Sequence, residues 1–485
     1  MSTQITLTQR RPNIPSINDN TTENPKRGAI PLNPGATILK FIAQHLALWT
    51  TFACATLTCC SCTSTAGLSD FVGEYQLAPD RVLTIWRRWG DQPLMYHDSQ
   101  TEAVRGLFAK GKDRFVIGKT IIDEENVAAK IAFDRNEAGH VTSLSWQNTN
   151  AYKTRAPKTP YPRQAIRYPS GDVTLAGVLT LPLTEGPHPA IVLVHGSGPQ
   201  PRDWMPLTHV FARNGFAVLE YDKRGIGEST GKFEMDFSNL ADDVVAGVQY
   251  LKARPEIDPS HIGLWGISQA GWIIPLAASR CPDVSFAAIT SGPVISPSEE
   301  DVAENQTILR DNNFPPEEIE AAAEMIRLAH RAGFTNQGWS DLDPLLKRGR
   351  EKGWLKLIDD PVGPLARSSI LARCTRWIWA PSESMVANWY YDTYPALEAI
   401  DIPILWIFGK LDKSIPPMAT LRDLQAFAPK HHKNYTFKVF EKGNHTIFEA
   451  NTGYPEEVGQ LNRFCPGYLK TLTTWTKQQV APRAQ

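Results

Sequence analysis

The sequence predicts an α/β fold. It is a doubly wound, mainly parallel sheet with a helical cap insertion, preceded by a small antiparallel all-β domain. Three observations predict this. From about residue 159 onward, apolar strand-like runs alternate with helix-period patterns, as in parallel strands joined by crossover helices. Late in that alternation about a hundred residues separate two strand patterns, far more than a plain connection needs, and helical patterns fill them. Earlier, from about Asp70 to Gln147, the runs are short, of period two, and punctuated by turn residues. The expected division is therefore a tail and signal- or lipoprotein-like segment over 1–66, a small β domain over 67–155, and an α/β domain over 156–485 with its cap at about 296–400.

Composition permits this plan and narrows the partners. The chain has 485 residues, 42% apolar and 21% charged, which suits a globular protein of more than one domain. A formal net charge of −1, with no basic aromatic-rich stretch, gives no reason to expect nucleic acid as a partner. Trp is abundant, at 14 residues, which suits either apolar grooves or core. Cys54, Cys59, Cys60 and Cys62 crowd one apolar stretch without a second spaced pair, so no metal site is expected there. Cys281, Cys374 and Cys465 are scattered and define no disulfide framework.

The tail comes first. Residues 1–35 are rich in Asn, Thr, Pro and Gln without periodicity and read as disordered. Lys26, Arg27 and Lys40 then precede the apolar run 46–57; a positive flank before roughly 7–15 apolar residues is the layout of a secretory signal. The run is shorter than the ~20 residues a spanning helix needs, and Gln44 and His45 stop it from extending backward. Leu57-Thr58-Cys59-Cys60 resembles a bacterial lipoprotein box with Cys60 as the lipid-bearing residue, although Cys59 stands where Ala, Gly or Ser is usual. The expectation is an exported protein, periplasmic or membrane-anchored through this segment. The competing reading is a buried amphipathic helix.

The β domain rests on alternating runs at 81–86, 114–118 and 130–133, with a turn at 134–139. They suggest an antiparallel barrel or sandwich. A Pro- and Lys-containing linker is expected at 156–162. Beyond it, 190–194 is continuously apolar, as a strand covered on both faces should be. Further strands are expected at 217–221, 287–290, 402–408 and 435–440, and a helical stripe at Val244, Val245, Val248 and Leu251. A helix at 316–326 belongs to the cap.

Chemistry concentrates in the segment His261-Ile262-Gly263-Leu264-Trp265-Gly266-Ile267-Ser268-Gln269-Ala270-Gly271-Trp272. An apolar run enters it and an apolar helix pattern leaves it, with a serine at the apex. Small residues two before and two after the serine permit a turn tight enough to lift its hydroxyl clear of the sheet. Gly227-Glu228-Ser229-Thr230-Gly231 is the literal Gly-x-Ser-x-Gly match, but no strand feeds it and polar residues follow. Ser229 is therefore read as part of a surface loop, and Ser268 as the nucleophile. The competing reading of Ser268 is a helix N-cap.

A serine hydroxyl needs a base to take its proton. Gly443-Asn444-His445 follows the final strand pattern, and Gly409-Lys410-Leu411-Asp412 follows the strand before it. Both stand where loops line the carboxyl edge of a parallel sheet. His445 is the expected base and Asp412 its orienting acid, in the chain order Ser, Asp, His. His431 and His432 lie in a polar run and read as solvated, His195 as structural, and Asp401 opens a strand at the wrong end. Backbone N–H donors for a developing oxyanion are expected from Gln269 and from the loop His195-Gly196-Ser197-Gly198, at Gly196 and Ser197. The alternative for that loop is a simple tight turn.

As a set, His195-Gly196-Ser197-Gly198-Pro199, Tyr221-Asp222-Lys223-Arg224-Gly225-Ile226-Gly227, the Ser268 turn, Gly-x-Leu-Asp and Gly-Asn-His resemble the α/β-hydrolase superfamily. They look like bacterial serine esterases related to the prolyl-oligopeptidase-type hydrolases. The resemblance covers about Thr159 to the C-terminus. It implies a structural role for Asp222 and Arg224 and a helical cap over the serine. The β domain resembles the lipocalin-like modules found beside serine hydrolases, and is read as packing or spacer rather than a binding module. Trp377, Trp379, Trp389, Tyr390 and Tyr391 are candidates for an acyl pocket or, equally, for the glue between cap and sheet. The expected activity is hydrolysis of a small-molecule carboxylic ester or thioester without cofactor. Peptidase, acyltransferase and non-catalytic binding readings remain open.

Overall fold

Period-two alternation in the first part of the chain builds an antiparallel meander. A computed structural model describes residues 68–87, 94–148, 153–202, 206–335, 337–358 and 382–481, all within one unit spanning 64–485. The tail with its signal-like run and Cys60 lies outside the described residues, as do Trp377 and Trp379. The meander runs through β1 (Gly73–Ala78), β2 (Arg81–Arg87), β3 (Leu94–Asp98), β4 (Val104–Gly111), β5 (Arg114–Ile117), β6 (Ala129–Arg135), β7 (Val141–Asn148) and β8 (Lys153–Pro157), each paired with the next. A bridge between Tyr75 and Lys158 and a 2.8 Å hydrogen bond from Thr159 N–H to the Glu74 carbonyl bring its two ends together. Alternate residues point inward, so Leu83, Ile85, Phe115, Ile117, Ile131 and Phe133 form one core. β8 takes in Ala156 and Pro157, which the sequence assigns to the linker. A proline is tolerated in β8 because that strand stands last in the sheet order, and Lys158 N–H still donates to Thr142 O at 2.8 Å beyond it.

The second sheet contains β9 (Arg163–Ser170), β10 (Val173–Thr180), β11 (His188–Val194), β12 (Ala217–Tyr221), β13 (Ile257–Ile267), β14 (Val284–Thr290), β15 (Ile404–Gly409) and β16 (Tyr435–Phe440). Their spatial order is β9-β10-β12-β11-β13-β14-β15-β16. β10 runs antiparallel to both neighbours, and the pairs from β12 through β16 are parallel. Helices cover both faces: α1 (Leu207–Arg213), α2 (Phe237–Lys252) and α3 (Ala270–Arg280) are crossovers. The continuous apolar run of β11 follows from this double cover. Val192 and Val194 enter one core with Val244 and Ile274, while Ile191 and Leu193 enter the other with Phe211 and Leu472.

The cap begins after β14. α4 (Pro297–Asp311), α5 (Pro316–Thr335), α6 (Trp339–Lys352), α7 (Glu383–Trp389) and α8 (Tyr394–Glu398) lie between β14 and β15. Ser296 caps α4 by accepting from the Glu299 N–H at 3.3 Å, and Pro297 fills the first helical position, where no donor is needed. Val302, Met325, Leu346 and Trp354 give the cap a core of its own. α9 (Pro417–Lys430) and α10 (Tyr468–Val480) complete the α/β domain.

The two sheets are joined by packing, charge and backbone pairing. Trp86, Met95, Val104 and Ile121 of the β domain share a core with Phe464 and Trp475. Buried Glu74 pairs with Arg213 of α1. Val104 N–H donates to the Asn462 carbonyl at 2.7 Å, and Phe464 N–H to the Glu102 carbonyl at 3.0 Å. The same 462–465 strip pairs on its other side with the loop after β16, through Glu449 N–H to Arg463 O at 3.0 Å and Cys465 N–H to Ile447 O at 2.8 Å.

Candidate active site

β13 ends at Ile267, α3 begins at Ala270, and Ser268 occupies the turn with φ +57°. For a residue with a side chain this left-handed conformation is uphill by about 1–2 kcal/mol, so the surrounding structure must impose it. Close packing does so. A Cβ on Gly266 would stand 2.3 Å from the Ala270 Cβ, and one on Gly271 would stand 2.4 Å from the Pro293 carbonyl oxygen. Ser268 N–H donates to Thr290 O at 3.0 Å, and Gly271 N–H to Ser268 O at 2.8 Å. Ile267 and Gln269 are buried, whereas Ser268 between them is partly exposed.

Asp412 and His445 come together at the carboxyl ends of the neighbouring strands. Asp412 follows β15 and is buried. Its Oδ1 accepts the Ser414 and Ile415 N–H groups at 2.9 and 3.2 Å, and its Oδ2 lies 2.8 Å from His445 Nδ1. The loops touch through backbone, because a Cβ on Gly409 would stand 2.3 Å from the Asn444 carbonyl oxygen. His445 keeps 24% of its side chain exposed. Burial opposes a charged imidazole there, but the Asp412 carboxylate, its hydrogen bond and the Glu304 charge outweigh it and hold His445 above its ordinary value. The other candidates are occupied elsewhere. His431 stacks on Phe427 with centroids 4.2 Å apart, His432 is exposed, and Asp401 pairs with Lys433 at 2.7 Å.

The loop after β11 runs against the serine turn. A Cβ on Gly196 would stand 3.4 Å from Ile267 O and 3.5 Å from Ser268 Cβ. His195 Nε2 lies 2.5 Å from the Tyr221 carbonyl and donates to it. Burial and the nearby Lys223 charge push this imidazole down to about 3, so it is neutral. Ser197 is exposed, and among the described residues no acceptor pairs with the backbone N–H of Ser197 or of Gln269. Sequence reasoning missed the residue beneath them. Lys223 Nζ donates to Gly196 O at 2.5 Å, Gly198 O at 3.1 Å and Gln269 Oε1 at 3.1 Å. The available signal was a lysine leaving an apolar strand between Asp222 and Arg224.

Ser229 is not the surface residue expected from its polar neighbours. It is buried, its Oγ donates to Asp222 O at 2.7 Å and accepts from Ala176 N–H at 2.9 Å. The polar flanks face water while the hydroxyl bonds the loop to β10. Asp222 accepts the Arg202 and Glu228 N–H groups at 2.8 and 2.9 Å. Arg224 grips buried Asp243 at 2.9 and 2.8 Å.

The cap contributes acidic and aromatic groups. Burial, then the carboxylates of Glu304, Asp412 and Asp301, push Glu300 of α4 well above the usual carboxylate range. Tyr391 packs edge-on to Phe237 of α2 at 5.5 Å, which joins cap to sheet. Trp389 and Tyr390 instead meet Phe334 of α5 at 5.7 and 6.0 Å. Among the described residues no group of three or more His, Cys, Asp or Glu is placed to hold a metal ion, and no helix is long and apolar enough to cross a membrane.

Residues 191–460, more than half of the chain, match the model of the alpha/beta hydrolase family. The chain belongs to that family. Thiohydrolase aneE of Aspergillus aculeatus is 39% identical over 92 residues, which are 18% of this chain and 29% of the relative. Esterase EstD of Thermotoga maritima is 27% identical over 170 residues, 33% of this chain and 40% of the relative. The chain thus spans well under half of these relatives' lengths. An acylaminoacyl peptidase of Pyrococcus horikoshii superposes with a TM-score of 0.42 at 15% identity, over 86% of this chain and 58% of that one. In this alpha/beta hydrolase the strand that carries Ser268 is the fifth of the second sheet in chain order, and the strands before Asp412 and His445 are the last two.

Proposed function

We propose that the protein is a serine hydrolase that cleaves carboxylic esters or thioesters through an acyl-enzyme, with Ser268 as nucleophile, His445 as base and Asp412 as orienting acid. One observation carries this reading: a left-handed Ser268 at the carboxyl end of β13, on the sheet edge where Asp412 and His445 are hydrogen-bonded to each other. Asp412 occupies Nδ1 of His445, so Nε2 is the nitrogen left to take the Ser268 proton. The freed Oγ attacks the acyl carbon, and the carbonyl oxygen becomes an oxyanion facing the N–H groups of Ser197 and Gln269. His445 returns the proton to the leaving alkoxide or thiolate. Water then repeats the sequence on the acyl-enzyme and regenerates Ser268.

The names of the relatives, a thiohydrolase and an esterase, favour (thio)ester chemistry. Against a peptidase that sieves peptides, the β domain is one meander rather than a set of repeated blades. Labelling with a fluorophosphonate probe tests the site. Labelling is expected to vanish in Ser268→Ala and persist in Ser229→Ala; labelling retained in Ser268→Ala would sink the assignment. Rates on p-nitrophenyl esters and aminoacyl amides then separate esterase from peptidase.

A further inference from the structure

We propose that Lys223 is the positioning residue of the oxyanion hole: it aims both N–H donors and places a positive charge beneath them. This rests on the serine-hydrolase reading above.

The geometry is specific. An ammonium has three donors, and those of Lys223 go to Gly196 O, Gly198 O and Gln269 Oε1. In a trans peptide the C=O and the following N–H point in opposite directions. Drawing Gly196 O toward Lys223 therefore turns the Ser197 N–H away from the ammonium. The same ammonium fixes the Gln269 side chain, whose backbone opens α3. One side chain thus ties the loop after β11 to the residue after the nucleophile, across two separate crossovers.

A merely structural role fits poorly. Lys223 is buried, and among the described residues no carboxylate pairs with it. Asp243, the acid that acts on it from α2, is already gripped at both oxygens by Arg224. His195 beside it is neutral, and Asp222 is bound to Arg202. Holding a cation among neutral oxygens is costly, and a neutral side chain would fill the space at lower cost. Burial accordingly pushes the Lys223 ammonium down to about 7. The cost falls on the resting protein, and what the cation gives in return is stabilisation of a negative charge that exists only during reaction. By standard bond and hydrogen-bond lengths the oxyanion lies roughly 7 Å from Nζ. A unit charge at that range, in an effective dielectric near 20, changes kcat by roughly 50-fold.

The test compares the full-length protein with Lys223→Met, Lys223→Gln and Ser268→Ala on a p-nitrophenyl ester, from about pH 5.5 to 9.5. Lys223→Met is expected to lower kcat by roughly 50-fold with KM within about threefold, and to slow fluorophosphonate labelling in parallel. Lys223→Gln keeps donors without charge and should recover part of that loss. The wild type should lose activity on the alkaline side as Lys223 deprotonates, a decline missing from both variants. A folded variant with kcat within threefold of wild type, a loss confined to KM, or an unchanged alkaline limb overturns the proposal. If neither variant folds, a wild-type profile without an alkaline decline overturns it. Activity surviving in Ser268→Ala would instead overturn the serine-hydrolase reading; an inactive Ser268→Ala beside unimpaired Lys223 variants overturns only the present one.

Discussion

Gly266→Ala tests how the serine turn is enforced. The new Cβ would stand 2.3 Å from the Ala270 Cβ, with Ile274 Cδ1 and Val194 O at 3.0 Å. Carbon atoms rest about 3.5–4.0 Å apart, so α3 must retreat from β13 by more than about 1 Å. Overpacking on that scale destabilises by about 1–3 kcal/mol. If Ser268 is the nucleophile, as proposed, a displacement of about 1 Å there lowers kcat/KM by about 100-fold. The structure also says how to undo the damage. Ala270→Gly deletes the atom struck first, at a cost of under about 1 kcal/mol for a glycine at a helix start. The double variant should recover at least half of both losses, because only the two 3.0 Å contacts remain. Urea unfolding and p-nitrophenyl ester kinetics on the four proteins give the coupling between the sites, expected near 1–2 kcal/mol. A Gly266→Ala protein with wild-type midpoint and kcat/KM refutes the reasoning, as does a double variant no better than the single.

Two further outcomes follow. In the proposed mechanism His445 acts as a base only when neutral, and the Asp412 carboxylate raises its pKa. The acid limb of kcat/KM should therefore lie above the ordinary histidine value, and Glu304→Gln, which removes a second raising charge, should shift it to lower pH; a limb that stays put counts against electrostatic contact between cap and base. Arg224→Met strips the partner from buried Asp243 and should cost about 3–5 kcal/mol in urea unfolding, with a change under 1 kcal/mol arguing that the pair is not a structural anchor.

The parts of this molecule legible in the sequence are those in which a residue's neighbours in sequence are also its neighbours in space. The turn at Ser268 is one, since Gly266 lies hard against Ala270, four residues on. The doubly covered β11 is another, because burial on both faces leaves a continuous apolar run. Ser229 misled because its local signal is polar while its hydroxyl is claimed by Ala176, far away in the chain. Lys223 gives only a faint local sign, a lysine at the end of an apolar strand, since its three acceptors come from two other loops. Ala156 and Pro157 read as linker because proline marks a break, while in space β7 supplies them with a strand partner.

The strip at 462–465 changes what the β domain means for the chemistry. It is hydrogen-bonded on one side to Glu102 and Val104 and on the other to the stretch that follows His445. The loop that carries His445 is thus braced by backbone that the first sheet itself holds. Cutting that sheet away would not isolate a smaller working enzyme. It would strip one edge of the brace, so a shortened protein that bound substrate yet turned it over poorly would be reporting a loosened His445 rather than a missing binding surface.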